Sequence, residues 1–536
     1  MIVRMDHLDL VCVASDRDAT LERLRALGVV HLDLASAGGA SVIAAKSEIE
    51  DAELAVRLIL KARGKGFSEE VRPRTVAEVL ALDADRMSLV AEQECLEREI
   101  RLYEPYGDFD PVLAKRLLDR GIDLKGELPE KLPEMRLSRM REKLSRVLQR
   151  IAVDTARIAA ADDQAILARY PALRDRMAFE QARELLAEKG AVAVISGWVP
   201  HPAAERLVAA AREAGWGVLL RASAEGETPP TLIDPPKLFR PVRALFAGLG
   251  IAPAYEESDV SVPFMCYFAL FFAMLVGDGA YGAIFLIATL ALKKRLTRSW
   301  FVLLTVFSSA TILWGALSNT WFGAGIPWCA EWPTVRWLAG AGAAAGHEYD
   351  NMMFLCFTIG VSHLLLARLW SGFARLNDRS CLTEFGWAGI ILFMYVLTNS
   401  IVGIFPGVPT WCMCVFGVSF LTVFVQAKGI GKGMLFLNAM SVLGDIISYV
   451  RLFAVGLASV KVAQNFNMMA IDLGLPIWIK WLPLVLILLV GHALNLAMAA
   501  LSVLVHAVRL NTLEFSNHKG ISWAGVAFHP FRKTKE

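Results

Sequence analysis

Ser441-Val-Leu-Gly-Asp445-Ile-Ile-Ser448-Tyr449-Val-Arg451-Leu452-Phe-Ala-Val-Gly-Leu457-Ala458-Ser459 is apolar enough to lie in lipid, yet it holds an aspartate, three serines and an arginine. It sits in a longer apolar segment, residues 434–474, with Arg451 17 residues from the start. At 1.5 Å per residue that is about 25 Å along a helix, too deep to snorkel easily. An arginine near the bilayer centre costs at least ~2.5–3.5 kcal/mol, so it needs a partner or a wet cavity. At 100° per residue, Ser441, Asp445, Ser448 and Ser459 fall about 60–120° from Arg451, so one side of the helix is polar over several turns. Asp445 lies six residues from Arg451, on a different turn and face, which argues against a simple ion pair between them.

The last apolar segment, 477–508, repeats the pattern. With Arg509 as zero, Ser502, Asn495, His506 and His492 project at about 20°, 40°, 60° and 100°. Arg509 alone could be an interfacial anchor, and His492 alone a satisfied core histidine. A polar stripe along most of an apolar helix fits neither.

The rest of the chain separates into two kinds of sequence. Of 536 residues, 55% are hydrophobic, with 14 Trp and 28 Phe, and the mean hydropathy is +0.46. Residues 1–260 carry 80 charged side chains (net −6), whereas residues 261–536 carry 28 (net +8). A soluble half followed by a membrane half is expected, and disordered, collagen-like or disulfide-stapled classes are excluded. The mildly acidic soluble half argues against nucleic-acid binding. Among eight cysteines only Cys412 and Cys414 are close, which indicates neither a metal site nor a disulfide framework. Met1-Ile-Val-Arg-Met-Asp-His lacks a signal pattern, so the soluble half is expected in the cytoplasm.

Further apolar segments lie near 262–292, 300–322, 351–370, 385–404 and 409–427. Basic clusters assign the cytoplasmic side: Lys293-Lys294-Arg295 with Arg298; Arg368, Arg375 and Arg379; Lys428 with Lys432; and the tail from Arg509 through Arg532-Lys533 to Lys535. The 323–350 stretch carries Glu331, Glu348 and Asp350 against Arg336 and belongs outside. This parity works only if 262–292, longer than the ~20 residues one crossing needs, is two short helices joined at Gly277-Asp278-Gly279. The expectation is eight transmembrane helices, with the N-terminal domain and the C-terminus both cytoplasmic.

In the soluble half, alternation from Val3 to Val13 predicts a strand. A helix through Leu21, Leu24 and Leu27 ends at Gly28, and a second strand spans Val29–Leu34. The pattern returns as a strand Ala191–Ile195, the turn Ser196-Gly197-Trp198-Val199-Pro200, a helix Ala203–Ala214 stopped by Gly215, and a strand Val218–Leu220. Two small α/β lobes (near 1–40 and 190–225) are thus expected, joined by a helical arm over 41–185. In the arm, Leu82, Leu89, Leu96 and Tyr103 recur every seven residues. Leu137, Met140, Leu144, Val147, Ile151, Ile158 and Ala161 keep a 3–4 spacing. An antiparallel coiled-coil hairpin interrupted by Glu104–Pro133 fits both seams; an ordinary helical bundle is the alternative. The fold class is therefore an α-helical membrane domain, 261–536, behind a cytoplasmic α+β domain, 1–260.

Arginine stays charged at any working pH, so one at mid-membrane can force a carboxylate on a partner helix to release its proton or cation. It also repels cations and so blocks a leak between one wet path on each side. That is the logic of a rotary ion-translocating motor. The Ser441–Ala458 run, ending at Asn465-Phe466-Asn467, resembles the penultimate helix of the membrane stator of V/A-type ATPases, called subunit I or subunit a. His506-Ala-Val-Arg509-Leu510, followed by Glu514, resembles its last helix. Phe272-Ala-Met-Leu-Val-Gly277-Asp278-Gly279-Ala-Tyr281-Gly282 resembles its first hairpin, and Gly197-Trp198-Val199-Pro200 a turn in its cytoplasmic domain.

The resemblance implies an ion-translocating stator coupling H+ or Na+ movement to ATP hydrolysis or synthesis. Its partners would be a proteolipid ring (subunit c/K), peripheral-stalk subunits, and central-stalk and ATP-hydrolysing head subunits. Arg451 matches the arginine facing the ring carboxylate, and Arg509 the second arginine. His506, Ser441, Asp445, Ser448, Ser502 and Glu514 would border half-channels. Eukaryotic members carry a glutamate about two turns before the His-x-x-Arg, where this chain has Met498, Ala499 and Ala500; Asp445 and Phe453 follow the bacterial version. Neither Gly64-Lys65 nor Gly431-Lys432 has P-loop spacing, so no catalytic site and no cofactor are expected. A secondary transporter with a cytoplasmic regulatory arm is the alternative, which internal inverted repeats would favour. A structural scaffold would leave both stripes unexplained.

Overall fold

The computed structural model describes residues 1–34, 38–64, 71–120, 129, 131–224, 226–340, 347–474 and 476–533; Lys65, Lys535 and part of the Glu104–Pro133 interruption lie outside them. The chain is mostly helical and forms two compact units: Met5–Ser223 with His529–Glu536, and Ala224–Phe528 with Met1–Arg4.

The first unit runs β1 (Met5–Val13), α1 (Arg17–Leu27), α2 (Ala40–Arg63), α3 (Val76–Tyr103), α4 (Pro111–Asp119), α5 (Leu137–Ala159), α6 (Asp163–Glu184), β2 (Ala187–Lys189), β3 (Val192–Pro200), α7 (His201–Ala214) and β4 (Gly217–Ala222). The strands from both expected lobes share one sheet, ordered β2-β3-β1-β4 and antiparallel throughout, with Leu8 opposite Gly197 and Leu10 opposite Ile195. Alternation aims Leu8, Leu10, Cys12, Ala193 and Ile195 at one core with Leu21 and Leu24 of α1 and Leu207 of α7. Gly28 and Gly215 end α1 and α7 in the left-handed conformation, which glycine adopts without strain.

Val29–Leu34 does not form the expected strand. Only His31 pairs, donating its N–H to the Trp198 carbonyl at 2.8 Å and accepting the Trp198 N–H at 2.9 Å. The neighbouring backbone groups are engaged elsewhere: the Val30 carbonyl accepts from Phe531 N–H at 2.7 Å, and Leu34 N–H turns back to the Leu32 carbonyl at 2.9 Å. The approach is so close that a Cβ on Gly197 would meet the His31 carbonyl at 2.7 Å, which accounts for the glycine of the Gly-Trp-Val-Pro turn.

In the arm, α3 starts at a capping box made by Thr75 and Glu78, two orphan amides satisfied at once. Ile100 and Tyr103 at its end meet Leu137 and Met140 at the start of α5, while Leu89 and Leu96 meet Val147. The two helices therefore run antiparallel, with seam residues facing. Helices α2 and α6 pack beside them through Ala52, Ala55, Ile59 and Ile166.

The second unit holds α8 (Val242–Leu249), α9 (Ser261–Val276), α10 (Gly279–Ala291), α11 (Arg298–Ser318), α12 (Pro333–Leu338), α13 (Asp350–Ala374), α14 (Ser380–Ile401), α15 (Thr410–Gln426), α16 (Ile430–Ser448), α17 (Val450–Ile471), α18 (Ile477–Ser502) and α19 (Ser516–Lys519). Among the described residues five helical stretches are long and apolar enough to cross a membrane. They are α11, α13, α14, Gly431–Ile471 (41 residues) and Lys480–Lys519 (40 residues); a sixth results if α9 and α10, bent by 119°, count as one span. Helix α15, at 17 residues, is shorter. The bend forms because Gly277 is left-handed and Asp278 caps α10 at Ala280 N–H, 2.8 Å, while accepting Gly323 N–H at 2.8 Å. Backbones touch beyond it: a Cβ on Gly315 would lie 2.1 Å from the Gly279 nitrogen.

Candidate functional site

The 41-residue stretch is about 60 Å long, twice the ~30 Å hydrocarbon thickness, so it must tilt or project beyond the bilayer. Arg451 lies near its midpoint. The helix breaks at Tyr449, where Leu452 N–H turns back to the Tyr449 carbonyl at 3.0 Å. That frees the Ser448 carbonyl, and Arg451 Nε donates to it at 2.8 Å. Tyr449 is fully buried and shares a 2.9 Å hydrogen bond with His363 Nδ1. Its ring occupies space at Gly360, where a Cβ would sit 2.6 Å away.

The facing helix departs from α geometry too, with π-helical turns at Val503–Ala507 and Leu510–Phe515 on either side of Arg509. In an α-helix residues i and i+5 lie about 140° apart; an i→i+5 turn, with more residues per turn, brings them toward the same face. Glu514 thereby comes under Arg509, its Oε1 3.4 Å from Arg509 Nε. The same oxygen accepts from Arg451 Nη2 at 2.9 Å and from Ser448 Oγ at 3.4 Å. Glu514 is 5% exposed, Arg451 24% and Arg509 56%.

Arg451 therefore has the kind of partner its depth calls for, 63 residues away at Glu514. Two arginines share one carboxylate, so the cluster keeps one net positive charge. Asp445 takes no part in it. Its Oδ2 lies 3.0 Å from His518 Nε2, and His518 Nδ1 accepts from Arg368 Nε at 3.2 Å. Ser441 is exposed and Ser502 half-buried. His506 is half-buried, with its Nδ1 shut from solvent and without a hydrogen-bond partner among the described residues.

On the far side of Arg451 the two stripes join. Ser459 Oγ donates to Asn495 Oδ1 at 3.2 Å, and Asn495 Nδ2 donates to Tyr281 OH at 2.9 Å and to the Ser459 carbonyl at 2.8 Å. Tyr281 OH meets His492 Nδ1 at 2.8 Å, and His492 Nε2 meets Asn467 Oδ1 at 3.2 Å. A fully hydrogen-bonded polar seam thus runs between α10, α17 and α18. Sequence reasoning missed Tyr281, His518, Arg368 and the Glu384 carboxylate that accepts from Arg368 at 3.0 Å. Arg368 was read only as a positive-inside charge, and His518 lies in the polar tail, where no periodicity marks it.

No family model matches the chain. It is 33% identical to V-type ATP synthase subunit I of Borreliella burgdorferi over 64% of this chain and 60% of that protein. It is 27% identical to V-type ATP synthase subunit I 1 of Treponema pallidum, over 99% of this chain and 100% of that protein. With A-type ATP synthase subunit I of Methanocaldococcus jannaschii identity is 25%, over 64% of this chain and 55% of that protein. The matches to the Borreliella and Methanocaldococcus proteins thus span less than two thirds of those relatives. These relatives carry the same description that the motifs around Arg451, Arg509 and Gly277-Asp278-Gly279 suggest, and the chain is thus similar to the subunit I proteins of V- and A-type ATP synthases.

Proposed function

We propose that this chain is the stator through which H+ or Na+ crosses the membrane, with Arg451 facing the carboxylates of a rotating proteolipid ring. The observation that carries this reading is the charge count where the middle of one long helix, at Arg451, meets the last turns of the other, at Arg509 and Glu514. Arg451 and Arg509 share Glu514, and one positive charge is left over for an arriving ring carboxylate. That charge favours the ionised carboxylate and bars cations from passing directly. Polar groups flank it on both sides: Asp445 and Ser448 toward Lys428 and Lys432, and Ser459, Asn495 and His492 toward the 323–350 segment. These would form two half-channels, with His506, Ser441 and Ser502 along their walls.

The 119° bend between α9 and α10 supports counting them as two helices. With α15 as a short span this gives eight crossings, and the basic clusters then put both chain ends in the cytoplasm. The soluble unit would grip the peripheral stalks, and ATP would be turned over by head subunits joined through the central stalk. The test is Arg451→Ala in the assembled complex reconstituted into vesicles. ATP-driven ion uptake is lost while assembly persists, and replacing His506 lowers uptake only partly. Undiminished uptake by the Arg451→Ala complex refutes the reading.

A further inference from the structure

Beside the Arg451 cluster, a second chain of charges ties four helices together. Arg368 of α13 donates Nη1 to Glu384 of α14 at 3.0 Å and Nε to His518 Nδ1 at 3.2 Å. His518, on α19, reaches Asp445 Oδ2 on α16 through Nε2 at 3.0 Å. A guanidinium has donors and no acceptor. His518 Nδ1 must therefore carry the lone pair and Nε2 the proton, so the ring is neutral and donates to Asp445. Arg368 thus sets the tautomer, as an outer hydrogen bond does for a working histidine.

The arrangement has the marks of a support. His518 is 4% exposed and Asp445 30%. Arg375 stands 3.6 Å from Glu384 and reinforces the anchor behind Arg368. Lys519, next in the chain, turns away, donating to Ser371 Oγ at 3.1 Å and sitting over the Trp370 ring. Asp445 has one oxygen pinned, and the other has no hydrogen-bond partner among the described residues. A carboxylate held still by one oxygen and open at the other is placed to receive a cation.

We propose that His518 is a positioning residue for ion transport, holding Asp445 as the cation acceptor on the Lys428–Lys432 side of Arg451. This rests on the stator reading, and it makes a buried histidine that touches neither Arg451 nor Arg509 necessary for transport. Histidine is needed there only as a neutral bridge that accepts from Arg368 and donates to Asp445. A glutamine amide does both through its oxygen and nitrogen, and a leucine does neither.

The experiment reconstitutes the assembled complex and measures ion uptake per ATP hydrolysed for wild type, His518→Gln, His518→Leu and Arg451→Ala. The Gln variant keeps uptake within about twofold of wild type, and the Leu variant falls about tenfold, the scale of one lost hydrogen bond to a charged group. If Leu pumps like wild type, or Gln is as impaired as Leu, the positioning role is overturned. Should the Leu chain fail to assemble, the Gln variant decides alone: near-native uptake supports the bridge and a large loss overturns it. Arg451→Ala separates the two claims. If it abolishes uptake while His518→Leu pumps normally, only the role of His518 falls; if it pumps undiminished, the stator reading falls and takes this inference with it.

Discussion

Removing Glu514 tests the central cluster most directly. Its Oε1 is 2.9 Å from Arg451 Nη2 and 3.4 Å from Arg509 Nε, and the side chain is almost wholly buried. Taking away one partner of a buried pair costs ~3–5 kcal/mol, because the other charge stays behind unpaired. Arg451 keeps about a quarter of its side chain exposed, so water offsets part of that cost and about 3 kcal/mol is expected for Glu514→Gln. The reverse change, Arg451→Gln, is milder, since Arg509 remains beside the carboxylate. The order of the two single variants is thus a prediction in itself: loss of the acid leaves two facing cations, whereas loss of the arginine leaves a pair. Denaturant unfolding of the purified chain in mild detergent, run as a double-mutant cycle, gives the coupling. A coupling of roughly 2 kcal/mol or more is expected for residues in direct contact. Additivity within about 0.5 kcal/mol, or an Arg451→Gln variant less stable than Glu514→Gln, would refute the shared-carboxylate geometry.

Two further outcomes follow from packing and burial. Gly315→Ala drives a Cβ to 2.1 Å from the Gly279 nitrogen and 2.3 Å from its Cα, and neither backbone can yield. The folded yield in membranes should collapse, whereas Gly417→Ala, with nothing within 4 Å in mid-helix, should be neutral or stabilise by up to ~1 kcal/mol. In the sheet-bearing unit, burial lowers the pKa of His31 below its ordinary 6.5. A histidine depressed in the folded state contributes stability that is complete above about pH 6.5 and fades as pH falls toward the folded value. His31→Gln should flatten this acid-side loss in a denaturant midpoint followed between pH 5 and 7; an unchanged slope would assign the loss to another group.

Much of this architecture is legible in the residues because local chemistry and global packing agree. Gly28 and Gly215 stop their helices where a left-handed cap is needed, the heptad leucines of α3 face those of α5, and the Gly-Asp-Gly turn bends the first hairpin. The reading fails where one element depends on another. The Val29–Leu34 segment alternates like a strand, but the Val30 carbonyl accepts from Phe531, near the other end of the chain, and only His31 bridges to β3. Arg451 can be picked out as costly, yet its partner cannot, because helical projection assumes 100° per residue and the π-helical turn after Arg509 breaks that assumption.

The same irregularities explain how a mid-helix arginine is held at all. A straight α16–α17 helix would spend the Ser448 carbonyl on Leu452, and a straight final helix would turn Glu514 about 140° away from Arg509. Arg451 would then have neither its backbone acceptor nor its carboxylate, and the ~2.5–3.5 kcal/mol cost of a bare arginine near mid-membrane would stand uncompensated. Breaking one helix at Tyr449 and widening the other at Leu510–Phe515 supplies both contacts. Because Arg509 takes part in the same carboxylate, the charge is neutralised only in part. An arginine paired one-to-one would have little left to offer an arriving anion; one sharing half a carboxylate is stable enough to fold and still short of a partner.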